Sequence, residues 1–327
     1  MPNPTKQNVH VNGMLTNVSI AYIQKASSFV AGQVFPSLPV VKQSDRYFVY
    51  LKEDWFRDEA MKRKKGAESA GGGYELDNTP NYFCENWAYH KDVDDEDRAN
   101  SDSPLQPDRD ASQFITQKLL IRREVEWITR YFTSGLWTTE YNGAAAESGT
   151  DVVYWSSSGS TPIEDVADAQ IAIQSVTGFK PNVMVVGPHV HKALRNHADI
   201  LDRIKYTERG IVTKDLLAAL FEVDKYLVAE GVKNSAAKGA TEDTDFIAGK
   251  HCLLAYAAPS PGIKVPTAGY TFSWTGLNGA NSRLGTTIST FDMPWLGKGT
   301  KRIEGEMAFD LKLVAADLGS FFNGIVQ

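Results

Sequence analysis

Four bases in succession, Lys62, Arg63, Lys64 and Lys65, stand just ahead of Gly71, Gly72 and Gly73. A basic run before a glycine triplet suggests a phosphate or nucleic-acid contact, because glycine lets backbone N–H groups approach an anion while lysine supplies charge. Gly66 and Gly71 have the spacing of a phosphate-cradling loop, but Gly72 and Gly73 then fall where a lysine and a hydroxyl residue must be. The phosphate has no lysine and a magnesium ion no hydroxyl. The dinucleotide fingerprint fails too, since Gly71 and Gly73 are followed three residues on by Leu76 and no helix opens there.

The acidic counterpart is "DVDDEDRANSD", residues 92 to 102, where Asp92, Asp94, Asp95, Glu96, Asp97 and Asp102 face Arg98 alone. A calcium loop counted from Asp92 needs glycine at the sixth place and glutamate at the twelfth, and finds Asp97 and Ser103. An EF-hand is rejected. In "HVHKALRNH", His189 and His191 are two apart and point to opposite faces of a helix, so they cannot chelate together, and a surface helix with incidental histidines is expected for these two and His197. The serines of "WSSSGS" lie in no G-x-S-x-G elbow. No catalytic, cofactor-binding or metal-binding residue is assigned.

The elements that carry these groups follow from pattern. "DRYFVYL" (45 to 51) and "NYFCENWAYH" (81 to 90) are rich in aromatics and β-formers and bracket a charged middle, the shape of a long hairpin whose outer part cannot bury itself. "PDRDASQFITQKLLIRREVEWITRYF" (107 to 132) predicts a long helix with Asp108 and Asp110 at its N-terminus. Its expected apolar face is Phe114, Ile121, Val125, Ile128 and Phe132, widened by Trp127 and Tyr131. From residue 161 the pattern turns α/β: Thr161 is an N-cap, Pro162 takes the first helical position, Glu164 completes a capping box and Gly178 follows the end. The strands "NVMVVG" and "KYLVAEG" belong to this second unit. The strand-like runs from His251 onward are expected to return to the first unit's sheet, giving an α+β chain with one domain inserted in the other.

With 327 residues, 42% hydrophobic and 23% charged, the chain can bury a sizeable core. A net charge of −6 excludes bulk affinity for polyanions, so any DNA contact is local or weak. Cys84 and Cys252 are read as two buried reduced thiols. Neither a secretory leader nor a membrane span is recognised, which places the chain in a cytoplasm. Residues 1 to about 30 are polar and read as an extended arm, and chains that spend residues on arms of this kind bury them on copies of themselves.

The strings "FPSLPVVKQSDRYFVY", "DWFRDEA", "GAESAGGGYEL", "HKDVDDEDRANSDSPL", "RDASQFITQKLLIRRE" and "LLAYAAPSPG…PTAGYTFSW" resemble the major capsid proteins of tailed double-stranded DNA phages, from about residue 18 to the end. The resemblance implies the Hong Kong 97-type fold: an N-terminal arm (1–30), a peripheral domain (31–160 and 251–327) and an axial domain (161–250). The peripheral domain would carry an extended loop at about 45–88 and a spine helix at about 107–132. It implies self-assembly, through pentamers and hexamers, into an icosahedral head shell around the genome, with an encapsulin nanocompartment as the alternative and no enzymatic role. It further implies a separate scaffolding protein, a portal, room for a decoration protein, non-specific contact with packaged DNA, and assembly in the host bacterial cytoplasm into a virion. No string aligns with the lysine–asparagine cross-link of some relatives, so a non-covalent shell is expected. Within it, the tip bases Lys62 to Lys65 and Gly71 to Gly73 are expected to meet Asp92, Asp94, Asp95 and Asp97 of an adjacent subunit.

Overall fold

A computed structural model describes residues 23–101, 105–204, 212–262, 264–276, 286–296 and 299–327. Most of the expected arm, and Asp102 of the acidic run, lie outside the described residues. The first strand is β1 (Ser37–Val40). β2 (Ser44–Arg46) and β3 (Val49–Tyr50) lead out along the extended loop to a single helical turn, α1 (Lys52–Trp55). β4 (Leu76–Asp77) and β5 (Asn81–Phe83) lead back, pairing with β3 and β2 respectively. Next come β6 (Glu85–Val93), the short helix α2 (Asp95–Ala99) and the long helix α3 (Pro107–Tyr131). β7 (Thr139–Ala144), β8 (Asp151–Val153), α4 (Pro162–Thr177), β9 (Val183–Val186), α5 (Pro188–Arg195), α6 (Ala198–Ile204) and α7 (Lys214–Leu220) follow. The chain continues through β10 (Lys225–Val228), β11 (Val232–Asn234), β12 (Thr244–Phe246) and β13 (Cys252–Ala255). It closes with β14 (Gly269–Trp274), β15 (Thr286–Asp292), β16 (Lys301–Leu313) and β17 (Gly319–Asn323).

Among the described residues two sheets organise the chain. β1, β14, β16 and β15 form one in that order, with β6 also paired to β16, and α3 lies across it. At 1.5 Å per residue α3 is roughly 37 Å long. Its buried positions are Ala111, Ile115, Leu119, Arg123, Glu124, Trp127, Ile128 and Tyr131. This corrects the expected face, because Phe114, Ile121 and Val125 are only half-buried. The true stripe includes an alanine and two charged residues, which an apolar count passes over.

Arg123 and Glu124 are buried because they hold the segment that precedes β1. The Glu124 carboxylate accepts the backbone N–H of Val30 at 3.0 Å and of Ala31 at 2.8 Å. Phe29, Val30, Ala31, Val34 and Phe35 are buried there, so the last residues of the expected arm belong to the core. Gln24 also exchanges two side-chain hydrogen bonds with the backbone of Val232.

The second sheet runs β10-β9-β13-β17-β7-β8, and its inner strands β9, β13 and β17 are buried on both faces. Val183, Val185, Leu253 and Phe321 join the core shared with α3, while Met184, Val186, Cys252, Leu254 and Phe322 pack under α4 to α7. A strand covered on both sides reads as a continuous apolar run, as "VMVV" does. Only β9 and β10 of its strands come from residues 161–250. β13 was expected to return to the first sheet, and instead it pairs with β9 and β17. Strand propensity identifies the strand but carries no information on which sheet it joins.

At the N-terminus of α4 the anticipated capping box is absent: Pro162 opens the helix as expected, but the Thr161 side chain makes no cap hydrogen bond. Gly178 does close it in the left-handed region, at φ 74°. Asp165, one turn in, accepts the indole N–H of buried Trp155 at 2.8 Å. Burial pushes its carboxyl up to about 6, with Glu147, Asp168 and Glu164 adding to the rise. A raised carboxyl favours the protonated fold, so its contribution is complete below about 3.8 and is lost as pH rises through about 6. Asp165→Asn, which keeps an acceptor for the indole, is expected to melt above the parent at about pH 7 and level with it at about pH 4. Calorimetric melts of both proteins at the two pH values check this, and an identical difference at both would contradict it.

Candidate interaction surfaces

The extended loop is fixed at its base and free at its tip. At the base Tyr82 stacks on Phe272 with ring centroids 4.6 Å apart, and Tyr47 and Cys84 pack beside them. Further out Tyr50, Trp55 and Tyr74 form a ring cluster with centroids 5.8 to 5.9 Å apart. The Lys264 ammonium sits 5.1 Å from the Tyr50 ring centroid, and Lys52 pairs with Asp317. These contacts tie the root of the loop to its own chain. Beyond them the loop is uncovered, with Phe56 and Met61 59% and 80% exposed.

At the tip Lys62, Lys64 and Lys65 are exposed and make no ion pair among the described residues. Arg63 instead donates from Nε to the carbonyl of Ala67 at 2.6 Å, and the Ala67 N–H bonds to the Lys64 carbonyl at 3.1 Å. Gly66 supplies the left-handed residue of this turn, at φ 81°. Gly71, Gly72 and Gly73 have no positive φ.

The acidic run, expected to meet the tip of an adjacent subunit, is largely spoken for within its own chain. Asp92 takes a bidentate contact from Arg302, 2.7 Å from Nε and 2.9 Å from a terminal nitrogen, directly across the β6–β16 ladder. The hydrogen bond from Arg302 holds the Asp92 carboxyl below its ordinary range. Asp94 accepts the Thr300 hydroxyl at 2.7 Å. Asp95 pairs with Arg98 at 3.1 Å, and Arg98 also bonds Asp108 and the Gly299 carbonyl. α2 thus clips the β15–β16 turn to the start of α3. Asp97 is half-buried and has no ion pair among the described residues.

A second acidic pair, without an ion pair among the described residues, lies elsewhere, on β16. Ile303, Gly305 and Met307 face α3, so Arg302, Glu304 and Glu306 stand on the opposite face. Arg302 is taken by Asp92, while Glu304 and Glu306 stand two residues apart on the same face of the strand. Burial, then the charge of Glu304, pushes the Glu306 carboxyl up. The alternation in "RIEGEM" carries this signal in the sequence, but only the ladder shows which charge is already paired.

The histidines do not converge. His191 Nδ1 is 3.1 Å from the Tyr226 hydroxyl, and His189 packs edge-on to Phe246. His197 is buried rather than on the surface as expected. Its Nδ1 accepts the Asp199 N–H, so Nε2 carries the proton and donates to Ser160 at 3.0 Å, while Ser160 donates to the Ser157 carbonyl. The serine is thereby held as an acceptor from histidine, the reverse of an activated nucleophile. Cys84 and Cys252 are buried and free, and burial pushes the Cys84 thiol up to about 12. Among the described residues no cluster of three or more His, Cys, Asp or Glu is placed to hold a metal, and no helix is long and apolar enough to cross a membrane.

No family model matches the chain. It is 27% identical over 320 residues to the major capsid protein of Burkholderia phage BcepMu, covering 96% of each chain. A phage-related protein from Bordetella bronchiseptica RB50 superposes with a TM-score of 0.67 at 21% identity, covering 92% of this chain and 93% of that one. The capsid of cyanophage P-SCSP1u gives 0.60 at 10% identity, covering 97% and 93%. The SrpI encapsulin of Synechococcus elongatus PCC 7942 gives 0.56 at 12%, covering 96% and 95%. The architecture is therefore the Hong Kong 97-type shell fold, which phage capsids and an encapsulin share. Sequence separates the two: over nearly its whole length the chain is a homologue of phage major capsid proteins.

Proposed function

We propose that copies of this chain assemble into the icosahedral head shell that encloses the double-stranded DNA of a tailed phage. The full-length relationship to phage major capsid proteins carries this reading. The geometry agrees with it. Phe56 and Met61 are left largely exposed among the described residues, and the interfaces of an obligate assembly would supply their cover. The role is structural and non-enzymatic. The axial part would comprise the six-stranded sheet with α4 to α7, and the peripheral part α3 with the other sheet. Pentamers and hexamers would form in the host cytoplasm with a separate scaffolding protein and a portal, and the shell would be held without covalent cross-links. A net charge of −6 suits a container whose genome must enter and leave, because its lining makes only weak, non-specific contact with DNA.

The test is sedimentation and negative-stain microscopy of the full chain expressed alone and with the neighbouring genes of its genome. Closed particles are expected, with DNA rather than an enzyme as cargo when packaging genes are supplied. A chain that stays a small oligomer under every one of these conditions overturns the reading.

A further inference from the structure

We propose that Asn323 is a site of self-modification, where His251 draws the proton from the Gly324 backbone nitrogen and so converts the asparagine, through a cyclic imide, to aspartate and isoaspartate. No contact between copies takes part, so the chemistry belongs to the folded chain whatever it assembles into.

The site lies where β17 ends. In the parallel pairing of β17 with β7, Asn323 stands beside Asn142, and its side-chain nitrogen donates to the Asn142 side-chain oxygen at 3.2 Å. Gly324 then turns into the left-handed region at φ 55° and donates its N–H to His251 Nδ1 at 3.0 Å. A neutral imidazole that accepts at Nδ1 carries its proton on Nε2, so the lone pair facing Gly324 is free to take another. Burial holds His251 below its ordinary range, with Asn323 beside it opposing the shift, and the ring is therefore neutral and basic at about pH 7. Hydrogen-bond reach of the proton to be removed is the first requirement of a general base. Phe321, stacked on the imidazole with ring centroids 5.5 Å apart, and Phe132, edge-on at 6.4 Å, hold its plane. Beyond the chain neighbours, no atom lies within 4 Å of where a Cβ of Gly324 would stand, which leaves its nitrogen room to swing towards the asparagine side chain. His251, Asn323 and Gly324 are half-buried, so water reaches them.

The step balances with water as the only co-reactant. The Gly324 N–H proton passes to His251 Nδ1, and the nitrogen's electron pair forms a bond to the Asn323 side-chain carbon. The tetrahedral centre collapses by breaking its bond to the side-chain nitrogen, which takes the proton back from His251 and leaves as ammonia. Water then opens the imide at either carbonyl, giving aspartate or isoaspartate. Isoaspartate lengthens the backbone by a methylene just ahead of buried Ile325 and Val326, where the Ile325 carbonyl holds the Trp155 backbone N–H at 2.9 Å. Conversion would thus loosen the core under α4 to α7 slowly with age. Asn142–Gly143, the other Asn-Gly pair among the described residues, is the contrast. A Cβ at Gly143 would stand 2.3 Å from the Gly324 carbonyl oxygen, so its backbone has no room to move.

The experiment follows the full chain through weeks at neutral pH by digestion and peptide mass spectrometry, which also keeps Asn12–Gly13 and Asn278–Gly279, both outside the described residues, apart from the site. The peptide holding Asn323 should pass through the mass of the imide and split into aspartyl and isoaspartyl forms, while the peptide holding Asn142 stays unchanged. His251→Asn, which keeps an acceptor near the place of Nδ1 without its basicity, and His251→Phe, which keeps the stacked ring, should each slow conversion about tenfold or more. A histidine that only pinned the strand would give the opposite sign, because its loss frees the asparagine and speeds the reaction. The parent chain in urea, where His251 leaves Gly324, should also convert Asn323 more slowly than the folded chain does, a comparison that needs no variant to fold. An Asn323 that stays unconverted, that converts no faster folded than in urea, or that converts as fast or faster in the folded His251 variants overturns the assignment.

Discussion

Replacing Glu124 by alanine is expected to destabilise the fold by about 3–5 kcal/mol, the cost of breaking a buried, hydrogen-bonded charge network from one side. The side chain is fully buried on α3, and its two oxygens take the N–H groups of Val30 and Ala31. Arg123 lies beside it, buried, with a terminal nitrogen 3.5 Å from the Ala31 carbonyl. Burial pulls the Arg123 guanidinium down to about 10, and the Glu124 charge opposes that pull. Alanine would therefore orphan two backbone donors and strip a buried cation of its counter-charge. Gly32 adds a second constraint, since a Cβ there would come within 3.3 Å of the guanidinium. Glu124→Gln, which keeps one acceptor without the charge, should fall between the two. Urea unfolding followed by tryptophan fluorescence, at concentrations below assembly, measures the difference. A loss under about 1 kcal/mol would mean that the segment from Phe29 to Phe35 is held by its apolar burial alone.

Gly305→Val is the other large expected effect, a loss of about 3 kcal/mol from overpacking. A Cβ at Gly305 would stand 2.5 Å from Ile115 Cγ2 and 2.9 Å from Leu119 Cδ1, so α3 could no longer rest on β16. The glycine is required here by close approach, not by backbone angle. Ile115→Ala, harmful alone because it empties a fully buried site, should recover part of the loss when combined with valine at 305. A double-mutant cycle by the same unfolding measurement reads that coupling. If the two losses simply add, helix and strand do not meet at this point as described.

Both effects show where sequence patterns end. The long helix is legible in its length and its first-turn aspartates, both of which act within the helix. Its rotation was not, because Arg123 and Glu124 break the apolar count while occupying the buried stripe. The hairpin was legible as two aromatic strands around a charged middle. The fate of the acidic run was not, because Arg302 reaches Asp92 across 210 residues of chain.

The sequence by itself determined the kinds of element, the lack of a motif for phosphate, calcium or nucleophilic chemistry, and, through "GAESAGGGYEL" and "DEDRAN", a likeness to phage shell proteins. These follow from local preference and local spacing, which a linear chain carries without folding. Only the tertiary structure decided which sheet β13 joins, which face of α3 is buried and which carboxylates are already paired. Strand register and helix rotation bring distant residues into contact, and burial then fixes which charges must find partners within the chain and which are left for a neighbour.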